Sequence, residues 1–330
     1  LGLCCMNTTL KKYKPPVYAS RKIIVRIIDE RGIEELKRRV LDNLTDLYKM
    51  LEWNEENGIK VFRLSSEMFP HKTNPKVPDY TYDFALEHLK KINVFAKEHD
   101  MRLTFHPGQY NVLGSINPKA VKQTIADLNY HAEVLDILEC DMDSVMVIHG
   151  GGIYGDKLGA KIRWADRYNE LPENIQRRLV LENCERSYSI KDCLEISDNT
   201  GVPVVFDTHH HDCYLKLHPN EEFEPVENYI KRILDTWTNG RRPKFHVSEQ
   251  GTGKIGHHSD YIEIIPDYLL NIPEKYGIKI DIMIEAKMKE LSIQKLYDKY
   301  PQCNCLKDNP YYLCKDILID IINQYYYNLE

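Results

Sequence analysis

The 330-residue sequence has no apolar run near the ~18 residues that a membrane-spanning helix requires. It also has no Cys-x-x-Cys pair, and its nine scattered cysteines favour free thiols over a disulfide framework. Cys303, Cys305 and Cys314 lie close in sequence, but without an evident fourth zinc ligand. The net charge of −6 argues against bulk attraction to nucleic acid. We therefore expect an intracellular protein, not a secreted one, in which any affinity for polyanions comes from a local feature such as bound cations.

Short apolar segments alternate with helical ones along most of the chain. The leucine and valine spacing predicts a helix over 33–57, and the strand-like runs are rich in Val, Ile, Leu and Phe, which is typical of a parallel sheet buried on both faces. Eight such units predict a single (β/α)8 TIM barrel over residues 1–290. The Tyr-rich residues 291–330 are interpreted as a C-terminal extension that caps the barrel. The strand-like segments are 1–6, 59–66, 102–106, 143–149, 178–183, 202–207, 243–248 and 278–286.

A histidine or a carboxylate stands at the end of six of these strand-like segments. Because the carboxyl ends of parallel barrel strands meet at one face, we expect these side chains to lie together. Histidine, aspartate and glutamate suit Zn²⁺, Mn²⁺ or iron, and one ion would need only three of them. The surplus predicts two or three ions. The six residues are His106, His149, Glu182, Asp207, His246 and Glu285.

Further candidate ligands lie close to these strand ends. His210 follows Asp207 by three residues, so a turn can present both side chains, and Lys244 alternates with His246 and so points to the same side. A loop histidine, His257 or His258, offers another ligand. The histidines on predicted helices or in a loop without a partner are interpreted as structural, namely His88, His99, His131 and His218. The roles of His71, His209 and His211 stay open.

Neighbouring divalent ions about 3.5–4 Å apart can bind a phosphodiester, activate water and stabilise the leaving oxygen. The ligand set therefore favours a metal-dependent phosphodiester hydrolase. Sugar isomerases and epimerases use similar His, Asp and Glu sets in the same type of barrel, so an enzyme of that class is an alternative. A third hypothesis is a catalytically inactive barrel that only binds DNA. The intact ligand set disfavours this hypothesis.

Several motifs match one family in order and spacing. The matching strings are LGLCCMNTTL, RLSSEMFP, FHPGQYNVLGS, VIHGGGIYG, LENCER, VVFDTHHH, RPKFHVSEQ, GHHSDY and MIEAKMKE. On these motifs the sequence resembles the UV damage endonucleases, which are TIM-barrel enzymes related to the apurinic-site endonucleases, over roughly residues 1–290.

The resemblance implies a DNA repair endonuclease that hydrolyses the phosphodiester immediately 5′ to UV photoproducts and other lesions, including abasic sites, in damaged double-stranded DNA. It implies manganese, with Zn²⁺ or Mg²⁺ as alternatives, and no obligate protein partner. Glu182, Glu285 and Lys244 would be catalytic, and Lys244 matches a lysine that is carboxylated in family members. The implied ligand sets are His106, His149 and Glu182 for one ion, Glu182, Asp207, His246 and Glu285 for a second, and His210 with His258 for a third.

Lesion recognition is implied for the HPGQY motif. Gln109 and Tyr110 would form a wedge that fills the gap left by displaced bases, through hydrogen bonding and stacking. Two positions depart from the family pattern. Leu3 stands where an aromatic residue is usual, and Asn74 stands where a histidine is usual, for which His71 could substitute. Both are interpreted as lesion-side positions whose change alters lesion preference, and they keep open an apurinic-site endonuclease without photoproduct activity.

Overall fold

The computed structural model describes residues 1–306, in which eight parallel strands form one curved sheet. Neighbours in the sheet follow the order β3-β2-β1-β8-β7-β6-β5-β4, and a bridge between Phe105 and Met146 joins the two outer strands. The predicted (β/α)8 barrel is confirmed. The strands are β1 (Gly2–Cys4), β2 (Val61–Arg63), β3 (Arg102–Thr104), β4 (Met146–His149), β5 (Leu179–Glu182), β6 (Val204–Asp207), β7 (Lys244–Val247) and β8 (Asp281–Ile284).

Helices separate the strands, as the alternation predicts. The long predicted helix appears as α3, whereas the stretch before β5 divides into α6 and α7 because Pro172 begins a new helix there. The helices are α1 (Thr8–Lys11), α2 (Val25–Arg31), α3 (Ile33–Glu56), α4 (Leu86–Glu98), α5 (Pro118–Ile137), α6 (Lys157–Asn169), α7 (Glu173–Gln176), α8 (Ile190–Thr200), α9 (Thr208–Leu217), α10 (Val226–Asp235), α11 (Asp267–Leu270), α12 (Ile272–Tyr276) and α13 (Glu290–Lys299). Three 3-10 turns span Ser66–Met68, Asp83–Ala85 and Pro301–Cys303.

The barrel strands alternate between an apolar outer row and an inner row that holds the polar and charged strand residues together with small apolar clusters. Outer side chains such as Leu103, Phe245 and Ile282 join the main hydrophobic core with the helices. Inside, the Arg102 guanidinium pairs with the Asp281 carboxylate at 2.8 Å. Because successive strand residues point to opposite sides, the inner row continues to the carboxyl ends of the strands, where the predicted ligands lie. The polar interior therefore leads directly into the candidate site.

Leu3 lies in the outer row, and this corrects its interpretation as a lesion-side residue. Its side chain is fully buried and belongs to the main hydrophobic core. Its neighbour Cys4 points the other way and contacts Val61 and Met283 in a separate small cluster. A side chain without exposed surface between the strands and the helices does not reach a bound duplex. At the position where the family pattern has an aromatic residue, this chain therefore has a leucine that packs in the hydrophobic core.

Helix α13 follows β8 and continues the alternation beyond residue 290. Ile293 and Leu296 are buried in the main core, and the fully buried Glu290 carboxylate accepts hydrogen bonds from the backbone and hydroxyl groups of Thr8 and Thr9. The first part of the predicted 291–330 extension thus packs beside the start of the chain. Residues 307–330, including Cys314, lie outside the described residues, so the capping role stays a prediction.

Within residues 1–306, none of the helices combines the length and apolar character that crossing a membrane requires. The eight cysteines of this part of the chain are all free, in agreement with the expectation from their scatter.

Candidate metal centre

Six side chains predicted from the strand ends converge at the carboxyl end of the barrel. They form three overlapping groups in which one nitrogen or oxygen of each residue lies within 4.8 Å of the others. Histidine nitrogens and carboxylate oxygens gathered at this distance are suited to divalent metal ions. The groups are His106, His246 and Glu285; His106, His149 and Glu182; and Glu182, Asp207 and His246.

Glu182, the last residue of β5, is the centre of this cluster. Its Oε2 lies 2.9 Å from His106 Nε2 and 3.7 Å from His149 Nε2, and its Oε1 lies 2.9 Å from His246 Nδ1. The side chain is fully buried, and both carboxylate oxygens face histidines from different strands. A carboxylate in this position can serve two ions at once, as expected from the sequence.

Asp207 ends β6 and also begins α9, which explains why the DTHHH segment is helical. Asp207 Oδ1 accepts a hydrogen bond of 2.8 Å from the His210 backbone N–H, as an N-cap residue does. Its other oxygen, Oδ2, is left free of this capping bond. The structure thus replaces the predicted turn by the first turn of a helix, which places His210 beside Glu182 and His209 beside His258, whereas His211 packs against Phe206 and Phe223.

Several ligand atoms are buried without a hydrogen-bond partner among residues 1–306. They are Asp207 Oδ2, His149 Nδ1 and His246 Nε2. Polar atoms buried in a protein are otherwise paired almost without exception, because an unpaired one costs about 1–3 kcal/mol. A divalent cation bound in the cluster would satisfy Asp207 Oδ2, so the residues present fit the metal ions that the sequence predicts.

The electrostatics of the site favour the metal-binding protonation states of His149 and Glu182, whereas the pKa values of Asp207 and His210 are shifted the other way. Burial lowers the pKa of His149 to about 4, which leaves the imidazole neutral. Burial alone would raise the pKa of Glu182, but His246, His149 and the hydrogen bond with His106 hold it well below its usual range. Burial raises the pKa of Asp207 to about 7, since an isolated anion is costly there. Neutral imidazoles beside carboxylates are the ligand forms that metal ions require.

Glu285 forms an ion pair that sequence reasoning missed. Arg63 Nη1 lies 2.6 Å from Glu285 Oε1, and both side chains are largely buried inside the barrel. Burial would raise the pKa of Glu285, but the Arg63 charge lowers it far below its ordinary value. Arg63 lies in the RLSS string of β2, two residues after Val61, so its inward direction could have been found from the strand alternation.

Lys244 lies deeper in the barrel than the clustered ligands. Its side chain is fully buried, and Nζ donates a hydrogen bond of 2.7 Å to Thr104 Oγ1. Burial, reinforced by Arg102 and Arg63, lowers the pKa of Lys244 to about 7. The lysine and His246 share the inner side of β7, as predicted. Its carboxylation and its catalytic role stay predictions.

The two residues expected at a third ion lie at the edge of the cluster. His210 Nδ1 is 3.4 Å from Glu182 Oε1, and His258 Nδ1 is 3.9 Å from Glu285 Oε2. The His210 and His258 rings are 6.4 Å apart between centroids. Neither residue belongs to the three groups within 4.8 Å, so a third ion stays a prediction.

The Gln109–Tyr110 pair lies on the loop after β3, beyond His106. Both residues are exposed, and 61% of the Tyr110 surface is accessible. The Tyr110 hydroxyl donates to Asp127 Oδ2 at 3.4 Å, and Asn111 Nδ2 donates to the same oxygen at 2.8 Å. A Cβ at Gly108 would lie 2.5 Å from the Tyr110 ring, so a larger residue there would displace the ring from this position. The loop presents an aromatic ring at the mouth of the barrel.

Asn74 and His71 lie in a cavity of about 470 Å³ beside Tyr110. Asn74 Nδ2 contacts His71 Nδ1 at 3.0 Å, while His71 Nε2 contacts the Ile23 carbonyl at 2.6 Å. Both ring nitrogens of His71 are thus engaged, and His71 is not among the metal-competent groups of residues 1–306. His71 and Asn74 line the same cavity as Tyr110, and the substitution of His71 for the missing lesion-side histidine stays a prediction.

Comparison with known proteins decides the family. A family model described as UV-endonuclease UvdE matches residues 1–310. The chain belongs to this family. A UvdE relative from Acanthamoeba polyphaga mimivirus, whose description names a UV-damage endonuclease, is 38% identical over 91% of each chain. The UV-damage endonuclease of Schizosaccharomyces pombe is 33% identical over 91% of this chain and 50% of its own length.

Solved structures agree with the family. The crystal structure of SacUVDE matches with a TM-score of 0.76 and 31% identity over 91% of this chain and 98% of that chain. UvdE membership supports the predicted class of activity, a DNA repair endonuclease. Two more distant structures share only the fold: endonuclease IV from Thermus thermophilus (TM-score 0.53, 14% identity, 78% and 94% covered) and the Escherichia coli 3-keto-D-glucoside 4-epimerase YcjR (TM-score 0.52, 12% identity, 80% and 93% covered).

Proposed function

We propose that this protein is a metal-dependent endonuclease that hydrolyses DNA immediately 5′ to UV photoproducts and abasic sites. The observation that carries the proposal is the set of three overlapping ligand groups around Glu182, within a chain of the UvdE family. Two ions are favoured by the way Glu182 faces histidines with both of its oxygens. Manganese is the proposed metal, with Zn²⁺ or Mg²⁺ as alternatives.

The residues divide into those that would hold metal and those that support them. His106, His149 and Glu182 would hold one ion, and Asp207, His246 and Glu285 would join Glu182 at the second. Bound divalent ions supply charge neutralisation at the phosphate and lower the pKa of coordinated water. Glu182 and Glu285 contribute the negative charge that retains cations, and Arg63 keeps Glu285 ionised and fixed. The buried site also excludes bulk water, which strengthens these interactions.

The exposed Gln109–Tyr110 pair supports a duplex as the substrate rather than a small sugar. An amide and an aromatic ring at the mouth of the barrel can occupy the space of displaced bases. Damaged nucleotides are displaced at lower cost than sound ones, so such a wedge would select lesions without reading sequence.

We expect Tyr110→Ala to reduce the preference for photodimer-containing over undamaged DNA by about 5- to 100-fold, because base stacking on an aromatic side chain contributes about 1–3 kcal/mol. Cutting of abasic DNA should slow less, since fewer stacked bases are lost there. The measurement is competitive binding and cleavage with three duplexes of one sequence: photodimer, abasic and undamaged.

Two variants control the Tyr110 experiment. Tyr110→Phe keeps the ring but removes the hydroxyl that reaches Asp127, and it should retain most of the discrimination. Tyr154→Ala removes another exposed tyrosine, on the loop after β4. It should change neither the preference for photodimer-containing over undamaged DNA nor the relative rate on abasic DNA. Equal losses of Tyr110→Ala on photodimer and abasic duplexes would contradict the wedge.

A second candidate is an apurinic-site endonuclease without photoproduct activity. It is favoured by Asn74, which stands where the family pattern has a histidine and lines the same cavity as Tyr110. Mapping the ends produced from the photodimer and abasic duplexes distinguishes the two candidates. A 3′-hydroxyl end immediately 5′ to the dimer supports the broader activity, and cutting of the abasic duplex alone supports the second candidate.

A further inference from the structure

Asn183 directly follows Glu182 and joins the ends of β5 and β6 by its side chain. The backbone pairing of the two strands ends at Glu182 and Val205. Beyond this point the Asn183 side-chain amide continues the pairing with β6. Its Oδ1 accepts a hydrogen bond from the Asp207 backbone N–H at 2.8 Å, and its Nδ2 donates one to the Asp207 carbonyl at 3.0 Å. The fully buried amide thus pairs with Asp207 as another strand would.

The Asn183 backbone makes a third connection within the same cluster. Its carbonyl oxygen accepts from His210 Nδ1 at 3.1 Å. A ring nitrogen that donates to a carbonyl carries the proton, so the opposite nitrogen, Nε2, is the one left to bind a metal. The residue therefore contacts two predicted ligands and is covalently joined to a third, Glu182.

These contacts also determine which Asp207 oxygen faces the cluster. The His210 backbone N–H holds Asp207 Oδ1, while Oδ2 is buried and has no hydrogen-bond partner in the described chain. The position of Oδ2 consequently depends on where Asn183 fixes the Asp207 backbone. We propose that Asn183 is a positioning residue that sets the placement of Glu182, Asp207 and His210 and thereby the affinity of the centre for divalent cations.

This inference rests on the proposed metal centre but not on any nuclease activity, so metal binding tests it directly. Asn183→Asp is nearly isosteric and keeps an acceptor for the Asp207 N–H, but it places a carboxylate oxygen against the Asp207 carbonyl. Asn183→Ala removes both side-chain hydrogen bonds to Asp207 and buries no new charge. It replaces Asn183→Asp in the experiment if that variant does not fold. Asn199→Asp makes the same chemical change on exposed α8, where the amide donates to the Glu195 carbonyl, and is the matched control.

Metal-free proteins are titrated with Mn²⁺, and free Mn²⁺ is followed by its paramagnetic resonance signal alongside the thermal midpoint Tm. We expect both Asn183 variants to raise the Mn²⁺ concentration for half-occupancy by about 10- to 100-fold, the usual effect of losing an outer partner of metal ligands. Asn199→Asp should match the parent protein. Excess Mn²⁺ should restore occupancy in the Asn183 variants, which a misfolded site would not allow.

The possible failures are distinguishable. If the parent binds Mn²⁺ and the Asn183 variants bind it equally well, while only their metal-free Tm falls, Asn183 is a packing residue and the inference is overturned. If the parent itself binds no divalent cation, the proposed metal centre is overturned together with the inference. If the parent binds Mn²⁺ without cutting DNA, the proposed activity fails, and the comparison of Asn183 variants still supports or overturns the positioning role.

Discussion

Replacing Glu182 by glutamine is expected to abolish DNA cleavage, with a loss of at least about 10³-fold in the single-turnover rate, or ~4 kcal/mol of activation free energy. Glutamine preserves the shape of the side chain but removes its charge and one acceptor oxygen. In the structure both oxygens of Glu182 are engaged, at 2.9 Å from His106 and 2.9 Å from His246. A neutral amide cannot link two cations in this position, so both proposed ions would be weakened together.

The Glu182 experiment separates cleavage from recognition. Binding to a photodimer duplex should stay measurable, because the proposed wedge residues Gln109 and Tyr110 lie on another loop. The matched control is Glu173→Gln, an exposed residue at the start of α7, near the opposite end of β5, and it should cut normally. Near-normal turnover of Glu182→Gln would refute the assignment of this glutamate to the metal centre.

Metal removal is expected to have an effect of similar size. Three carboxylates and three imidazoles lie together in a largely buried site, and without cations the unpaired Asp207 Oδ2 destabilises the fold. Chelation should therefore eliminate cleavage and lower Tm. Added Mn²⁺ should restore both, because a ligand that binds only the folded state stabilises it by ~2.7 kcal/mol at 100 times its Kd.

The chelation experiment needs two comparisons. Added NaCl of equal ionic strength tests for general screening, and Glu182→Gln should show a much smaller rise of Tm with Mn²⁺ than the parent. Mg²⁺ and Zn²⁺ in place of Mn²⁺ rank the candidate metals. A parent protein whose cleavage rate and Tm are both unaffected by chelation would contradict a metal-dependent mechanism.

The barrel and the convergence of its strand-end histidines and carboxylates were predictable because they follow from periodicity. Strands buried on both faces read as apolar runs, and a residue at a strand's carboxyl end falls on the same face as its neighbours in a parallel barrel. This placed Glu182, Asp207 and His246 correctly relative to one another. The motifs that resemble those of the UV damage endonucleases then identified the family, and the comparisons confirm it.

The remaining features depend on contacts between distant segments, which periodicity does not encode. The pairing of Arg63 with Glu285 joins residues 222 positions apart, and the hydrogen bond of Lys244 to Thr104 spans 140. The wrong interpretation of Leu3 has a different cause. The resemblance to the family gives the residue type expected at this position but not the side of β1 that it faces, and strand alternation puts Leu3 in the outer row.

Helix boundaries at the site were also beyond the sequence pattern. The three consecutive histidines of DTHHH suggest a turn, but the Asp207 carboxylate caps a helix that begins with Thr208. Capping of this kind is recognisable when an aspartate precedes an amphipathic segment. Here the amphipathic pattern is hard to recognise, because the first turn holds three consecutive histidines. In the structure His209, His210 and His211 are all buried.

The central claim is metal-dependent cutting at a lesion, and nicking of an end-labelled duplex tests it most directly. One photodimer is placed in a defined sequence, metal-free protein is added with and without Mn²⁺, and the products are sized beside abasic and undamaged duplexes. We predict a single Mn²⁺-dependent cut immediately 5′ to the dimer and none in the undamaged duplex. No cut in any duplex at saturating Mn²⁺, by protein shown to bind the ion, would contradict the proposed function and favour a small-molecule reaction in the same barrel.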